Sequence, residues 1–164
     1  MEVQNKMSLS SEVRAEIDHW LTKFPPDQKA SAVLAALHAV QHEAGYVSVE
    51  AMDAVAEYLD MPRVSVYEVA SFYSMIETKP VGRNTVAICT NISCMLCGAD
   101  SLVEHVEKKL GIRIGESTPD GRIYLKREEE CLAACVGAPM MAVNGHYHEN
   151  LTIEKIDRIL DELK

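Results

Sequence analysis

At 164 residues the chain is long enough for one ordinary domain or two small ones. Apolar residues make up 48% and charged residues 25%, the balance of a soluble globular protein. The formal net charge of −9 repels phosphates, which disfavours nucleic acid and anionic membrane surfaces as partners.

The opening stretch, MEVQNKMSLSSEVRAEIDHW, has no apolar run of the signal-peptide kind and too much acid for a transit peptide. The chain is therefore expected in a reducing cytoplasm. Ser10 is placed to cap a helix with Val13, Ile17, Trp20, Leu21 and Phe24 on one face, ended by Pro25-Pro26. A second helix is expected from about Asp27 to Gly45, with Val33, Leu34, Leu37 and Val40 inward. A third starts near Ser48, carries Val49, Met52, Val55, Ala56 and Leu59, and stops before Pro62. The pair Ser65 and Glu68 reads as a capping box opening a fourth, which runs through Val69, Phe72, Tyr73 and Ile76 to Pro80. Short connections between amphipathic helices predict a small antiparallel bundle over residues 1–80.

After Pro80 the pattern changes. Thr85 to Ile88 is β-branched and apolar, a buried strand that ends at Cys89. Gly98 to Leu110 is helical, with Leu102, Val106 and Leu110 on one face and Gly111 as the stop. Asp120-Gly121 turns into a strand over Arg122–Lys126. Asn144-Gly145 joins Met140–Val143 to His146–Glu149 as a two-residue hairpin. Thr152 then caps a last helix that carries Ile153, Ile156, Leu160 and Leu163 on its apolar face. This order predicts an α/β unit over 81–164, helices packed on a mixed sheet, so that the whole chain is α+β. The longest uncharged run, Cys131 to His148, reaches the length of a membrane span. Gly137, Pro139, Asn144 and Gly145 make it core strand and turn.

Five cysteines fall in two tight groups, an arrangement suited to metal or redox chemistry in a reducing compartment. Cys89, Cys94 and Cys97 follow the first strand, in what reads as a loop; Cys131 and Cys135 precede the hairpin. One arrangement has Cys89 and Cys94 on one iron and Cys131 and Cys135 on another. The run Cys89-x₄-Cys94-x₂-Cys97 with one later cysteine also matches the plant-type ferredoxin spacing. Cys94-Met-Leu-Cys97 alone is a CxxC of the thioredoxin or zinc-ribbon sort. Burial as small hydrophobes is a further reading, a poor one for five cysteines in two clusters. Spacing thus favours a metal or cluster site and leaves its ligands open.

The stretch Cys89-Thr-Asn-Ile-Ser-Cys94-Met-Leu, taken with Cys131-Leu-Ala-Ala-Cys135-Val-Gly-Ala-Pro-Met-Met, resembles the thioredoxin-like [2Fe–2S] subunit of NADH:quinone oxidoreductase. That family comprises the E subunit of respiratory complex I and its 24 kDa mitochondrial counterpart. Ser65-Val-Tyr-Glu-Val-Ala-Ser-Phe-Tyr-Ser74 is similar to the helical segment before its ferredoxin domain, and the similarity covers nearly the whole chain beyond residue 10. The resemblance implies a thioredoxin-like fold and one [2Fe–2S] cluster on Cys89, Cys94, Cys131 and Cys135. It leaves Cys97 as an extra thiol that departs from the pattern. Ala138-Pro139 then stands where thioredoxins keep a cis-proline, and a cis bond is expected.

The resemblance further implies a partner subunit that carries FMN and the NADH site, with the cluster off the main path to quinone and storing one electron. The chain itself has no GxGxxG or P-loop for a nucleotide. The same module serves in NAD-reducing hydrogenases and NAD-dependent formate dehydrogenases. A zinc interaction module built on four cysteines is the reading from another class. His38 and His42, four apart on a helix, lack an HExxH acid and read as polar-edge residues; His146 and His148 read as surface residues of the hairpin. Met140 and Met141 read as core filler. Glu128-Glu129-Glu130, just before Cys131, would add negative charge beside a cluster and oppose its reduction.

Overall fold

Ser10 begins the first helix as expected: its Oγ accepts the Val13 N–H at 3.1 Å, and α1 runs over Ser11–Leu21. The computed structural model describes residues 8–126 and 131–164. Contacts divide it into two compact units, with the boundary between Pro80 and Val81.

In the first unit α1 is followed by a short 3-10 turn, Lys29–Ala32, and then α2, Val33–Ala44, which Gly45 closes. The α-helix therefore starts later than the apolar pattern suggested. Ser48 caps α3, Val49–Leu59, by accepting the Ala51 N–H. Ile17, Leu37, Val55, Leu59 and Val66 are fully buried together. Tyr58 donates to Asp18 at 2.7 Å and so ties α3 to α1.

The fourth helix corrects the capping box. α4 spans Arg63–Phe72 with Pro62 at its N-cap, so Ser65 lies inside the first turn and donates its N–H to the Pro62 carbonyl. Proline's fixed φ and missing N–H suit the entry to a helix. Nor does α4 reach Pro80. The Gln41 side chain donates to the Met75 carbonyl at 2.9 Å and accepts the Glu77 N–H at 2.6 Å, and the Glu77 carbonyl accepts from Val47. Those bonds satisfy the main chain at Met75 and Glu77 beyond the helix, and Ile76 between them is buried. Phe72, the last residue of α4, is 80% exposed, and Tyr73 is also exposed. Val49 and Ile153 also face outward, each at the first position of its helix, where the apolar stripe runs out.

The second unit is a four-stranded mixed sheet of order β2-β1-β3-β4. β1, Asn84–Ile88, pairs parallel with β2, Ile123–Lys126, and antiparallel with β3, Met141–Val143. β4, His146–His148, is the outer arm of the expected hairpin. Asn144 and Gly145 both hold positive φ, the primed turn that matches strand twist. A short helix, α5 (Ile92–Leu96), interrupts the first cysteine group where the sequence reads as a loop; α6 covers Ala99–Leu110. Thr152 caps α7, Ile153–Glu162, by accepting the Lys155 N–H. Val86, Ile88, Ile123, Leu125, Met141 and Val143 give one sheet face to Leu102 and Val106 of α6 and to Ile156 and Leu160 of α7. Arg122 reaches the carbonyls of Leu160 and Leu163 and so ties off the end of α7. The Ala138–Pro139 bond is cis, as expected.

Leu160 is fully buried, so Leu160→Ala is expected to lower unfolding stability by about 2–5 kcal/mol in denaturant titration. The His105 ring lies 2.8 Å from the Asp157 carboxylate, and Lys109 bridges to Asp157 and Asp161. His105 foremost, then Lys109, holds the Asp157 carboxyl below its ordinary 3.8. A depressed carboxyl contributes stability above its unfolded-state pKa and loses it as pH falls through the native value. Denaturation midpoints should therefore drop on acidification below about pH 4, and Asp157→Asn should lose part of that drop.

Candidate metal centre

β1 ends at Ile88, opposite Met141, and the next ladder bond runs from the Cys89 N–H to the Met140 carbonyl at 3.1 Å. The antiparallel pairing thus sets the exit of β1 beside the entry to β3. The two cysteine groups share that edge. Cys89 and Cys94 are buried in a small cluster with Ala99 and Met140, against which Leu132, Ala134 and Ala138 pack. Cys94 faces inward from α5. Cys131 and Cys135 lie on the other loop with exposed thiols, their sulfurs 3.9 Å apart; Cys135 opens a 3-10 turn to Gly137.

The four thiols act on one another across the strand edge. Cys89 interacts with Cys94 and Cys131, Cys94 with Cys135, and Cys135 with Cys131. Burial pushes the Cys94 thiol up to about 11; the Met140 N–H opposes it, while Cys89 and Cys135 add to the rise. Burial is the largest influence on Cys89 and acts the same way, but the N–H groups of Leu132 and Asn91, together with the Cys94 and Cys131 thiols, outweigh it and hold that thiol below the ordinary 9.0. The Ala133 N–H, 3.3 Å from the Cys131 sulfur, pulls that thiol down, yet Cys135 beside it leaves the net shift upward. Thiols this close resist losing all their protons, and a bound cation relieves that repulsion by neutralising the thiolates.

The donor chemistry suits an iron–sulfur group. Four soft sulfurs meet at one locus, and main-chain N–H groups from Asn91, Leu132, Ala133 and Met140 turn toward them. Among the described residues no three His, Cys, Asp or Glu side chains gather closely enough for a single ion. A two-iron site does not ask for that, since each iron takes two protein thiolates. Cys97 closes α5 with an exposed thiol, outside the sulfur interactions that join the other four.

Nothing in the cysteine spacing indicates these N–H donors. His38, His42 and His146 are exposed and His148 half-buried, while Met140 and Met141 are buried. Glu128, Glu129 and Glu130 lie outside the described residues.

A mixed four-stranded sheet with two helices on one face and a cis-proline before β3 defines a thioredoxin-like domain, and four thiols stand at its strand ends. The chain belongs to the thioredoxin-like [2Fe–2S] ferredoxin family, whose model matches residues 17–164. The resemblance drawn from the two cysteine motifs is thereby borne out. The E 2 subunit of the NADH-quinone oxidoreductase of Rhizobium meliloti (strain 1021) is 41% identical over 152 residues, 93% of this chain and 89% of the relative. The corresponding E subunit from Rickettsia bellii (strain RML369-C) is 43% identical over 88% of this chain and 86% of its own length. The mitochondrial NADH dehydrogenase [ubiquinone] flavoprotein 2 of Dictyostelium discoideum is 39% identical over 91% of this chain and 60% of the relative. Among solved structures, an NAD+-reducing [NiFe]-hydrogenase in the air-oxidized state superposes with a TM-score of 0.70 at 23% identity. That match covers 79% of this chain and 22% of the hydrogenase chain, and at this identity it speaks for the fold.

Burial alone yields a test. In the metal-free native protein a thiol-alkylating reagent should label Cys97, Cys131 and Cys135, and should reach Cys89 and Cys94 only after unfolding, as read by mass spectrometry. Labelling of Cys94 at the rate of Cys97 would contradict the packing around α5.

Proposed function

We propose that Cys89, Cys94, Cys131 and Cys135 hold one [2Fe–2S] cluster, and that the chain is an electron-transfer subunit of an NADH:quinone oxidoreductase. The observation that carries this reading is the set of four mutually interacting thiols, drawn from two loops and backed by main-chain N–H donors. When bound, the cluster supplies a site for one electron. The chain's own residues fix the four thiolates, turn N–H groups toward them, and keep water from Cys89 and Cys94. Hydrogen bonds to sulfur and solvent exposure are the protein's means of setting such a potential.

In this reading the electron is exchanged with FMN on a separate flavoprotein subunit that also binds NADH, and no complete active site lies on this chain. An apolar collar supports a partner at the thiol edge. α5 turns Cys94 inward while Ile92 and Leu96, one turn apart, are 73% and 77% exposed. Val136, next to Cys135, is fully exposed. Exposed apolar side chains grouped around a functional centre mark an interaction surface. Residues 1–80 and 81–164 are taken as separate domains, a helical bundle and the ferredoxin domain. No helix of the described residues is long and apolar enough to cross a membrane. The subunit is accordingly assigned to the cytoplasmic side of the membrane, held there peripherally by its complex. A matching subunit of an NAD-reducing hydrogenase or formate dehydrogenase is the second reading. The 39–43% identity to proteins named as NADH dehydrogenase subunits favours the first.

Anaerobic purification is expected to give a reddish-brown protein with two irons and two sulfides per chain. Cys97→Ser should keep the EPR signal of the reduced cluster, and Cys135→Ser should lose or alter it. The opposite pattern would support plant-type ligation, and a colourless protein with stoichiometric zinc would overturn the reading. Leu96→Asp with Val136→Asp should weaken association with the flavoprotein in pull-down while leaving iron content intact.

A further inference from the structure

The loop that carries Cys135 is strapped from outside by the connection between β4 and α7. The Asn150 N–H donates to the Gly137 carbonyl at 2.6 Å, and the Leu151 N–H donates to the Pro139 carbonyl at 2.9 Å. Leu151 is buried in the core between the sheet and its helices, so the strap is anchored. Glu149 precedes it, and its side chain folds back over Gly137. A Cβ added at Gly137 would lie 2.5 Å from the Cβ, the Cδ and one carboxylate oxygen of Glu149. To seat a side chain there, the glutamate or the loop beneath it must shift. The Lys155 ammonium bonds the Glu149 main-chain carbonyl and fixes the strap from the α7 side.

We propose that Glu149 packs over the cluster loop so closely that a side chain at position 137 would displace the loop, and that its carboxylate holds the reduction potential of the bound cluster down. The proposal rests on the ligand reading above, in which Cys135 is one of the four thiolates. The carboxylate lies against Gly137, and two residues of chain span at most about 7 Å, so the charge sits on the order of 10 Å from the Cys135 sulfur. Taking up an electron adds negative charge at the cluster, and an anion at that distance opposes it. Lys155 offsets part of that field from the main-chain side and leaves the sign unchanged when the carboxylate is neutralised. Packing and charge are separable here, because Gln keeps the shape of Glu and removes its charge.

The test is a redox titration of the purified full-length holoprotein, followed by EPR, alongside iron and sulfide content. Glu149→Gln should keep full cluster content and make reduction about two- to tenfold more favourable, the order expected of one unit charge near a protein surface. Glu149→Asp should stay close to the parent potential. Should Glu149→Gln fail to fold, Glu149→Ala carries the same expected upward shift. Gly137→Ala should lose cluster, and Gly137→Ala with Glu149→Gly should regain it, because the second change removes the atoms that the new Cβ meets. An unshifted potential in Glu149→Gln, full cluster content in Gly137→Ala, or no recovery in the double variant would each overturn the proposal. Absence of an iron–sulfur signal from the parent protein would instead overturn the ligand reading itself.

Discussion

The antiparallel pairing of β1 with β3 is the constraint on which the site depends. Such pairing sets the end of one strand against the beginning of the other. Cys89 leaves β1 at the point where Met140 enters β3, and the bond between their main chains joins the two loops. The cysteine groups are far apart along the chain, yet they meet because the register Ile88↔Met141 is fixed. That register is held by burial: shifting a strand by one residue would turn Val86, Ile88, Met141 and Val143 away from α6 and α7. The apolar core of the second unit therefore determines the thiol geometry, although none of its large side chains belongs to the site.

The edge so formed has two unlike sides. Cys89 and Cys94 belong to a buried cluster with Ala99 and Met140, while Cys131 and Cys135 open to solvent. The dry side receives N–H groups from Asn91, Leu132 and Met140, and the wet side receives one from Ala133. Desolvation and hydrogen bonding act in opposite directions on a thiolate, and at Cys89 the hydrogen bonds win. In the proposed function this asymmetry leaves one pair of ligands insulated by the fold and the other at the surface, next to the apolar collar where a partner docks.

The helical unit illustrates how tertiary bonds override a local signal. Ser65 and Glu68 have capping-box spacing, and the apolar residues continue the helical period through Ile76. Two stronger demands displaced that reading. Pro62 supplies the entry dihedral without an N–H to satisfy, and the amide of Gln41 takes up the main chain at Met75 and Glu77. The second of these joins residues on distant stretches of chain, which no window of helical periodicity contains. Ile76 reaches the core by this route, and Phe72 is left outside it.

What the sequence determined by itself was whatever depends on near neighbours. Ser10, Ser48 and Thr152 cap helices because a hydroxyl three residues before an N–H can accept it, and Asn144-Gly145 turns because both residues tolerate positive φ. The two cysteine motifs were likewise local, and through them the family was legible. Only the tertiary structure decided which sulfurs become neighbours, which of them are dry, and which N–H groups turn toward them. It also decided that Glu149 lies over Gly137. Those facts arise from strand register and from loops meeting across the sheet edge, where the partners of each contact are far apart in the chain and nothing in the local pattern encodes their distance.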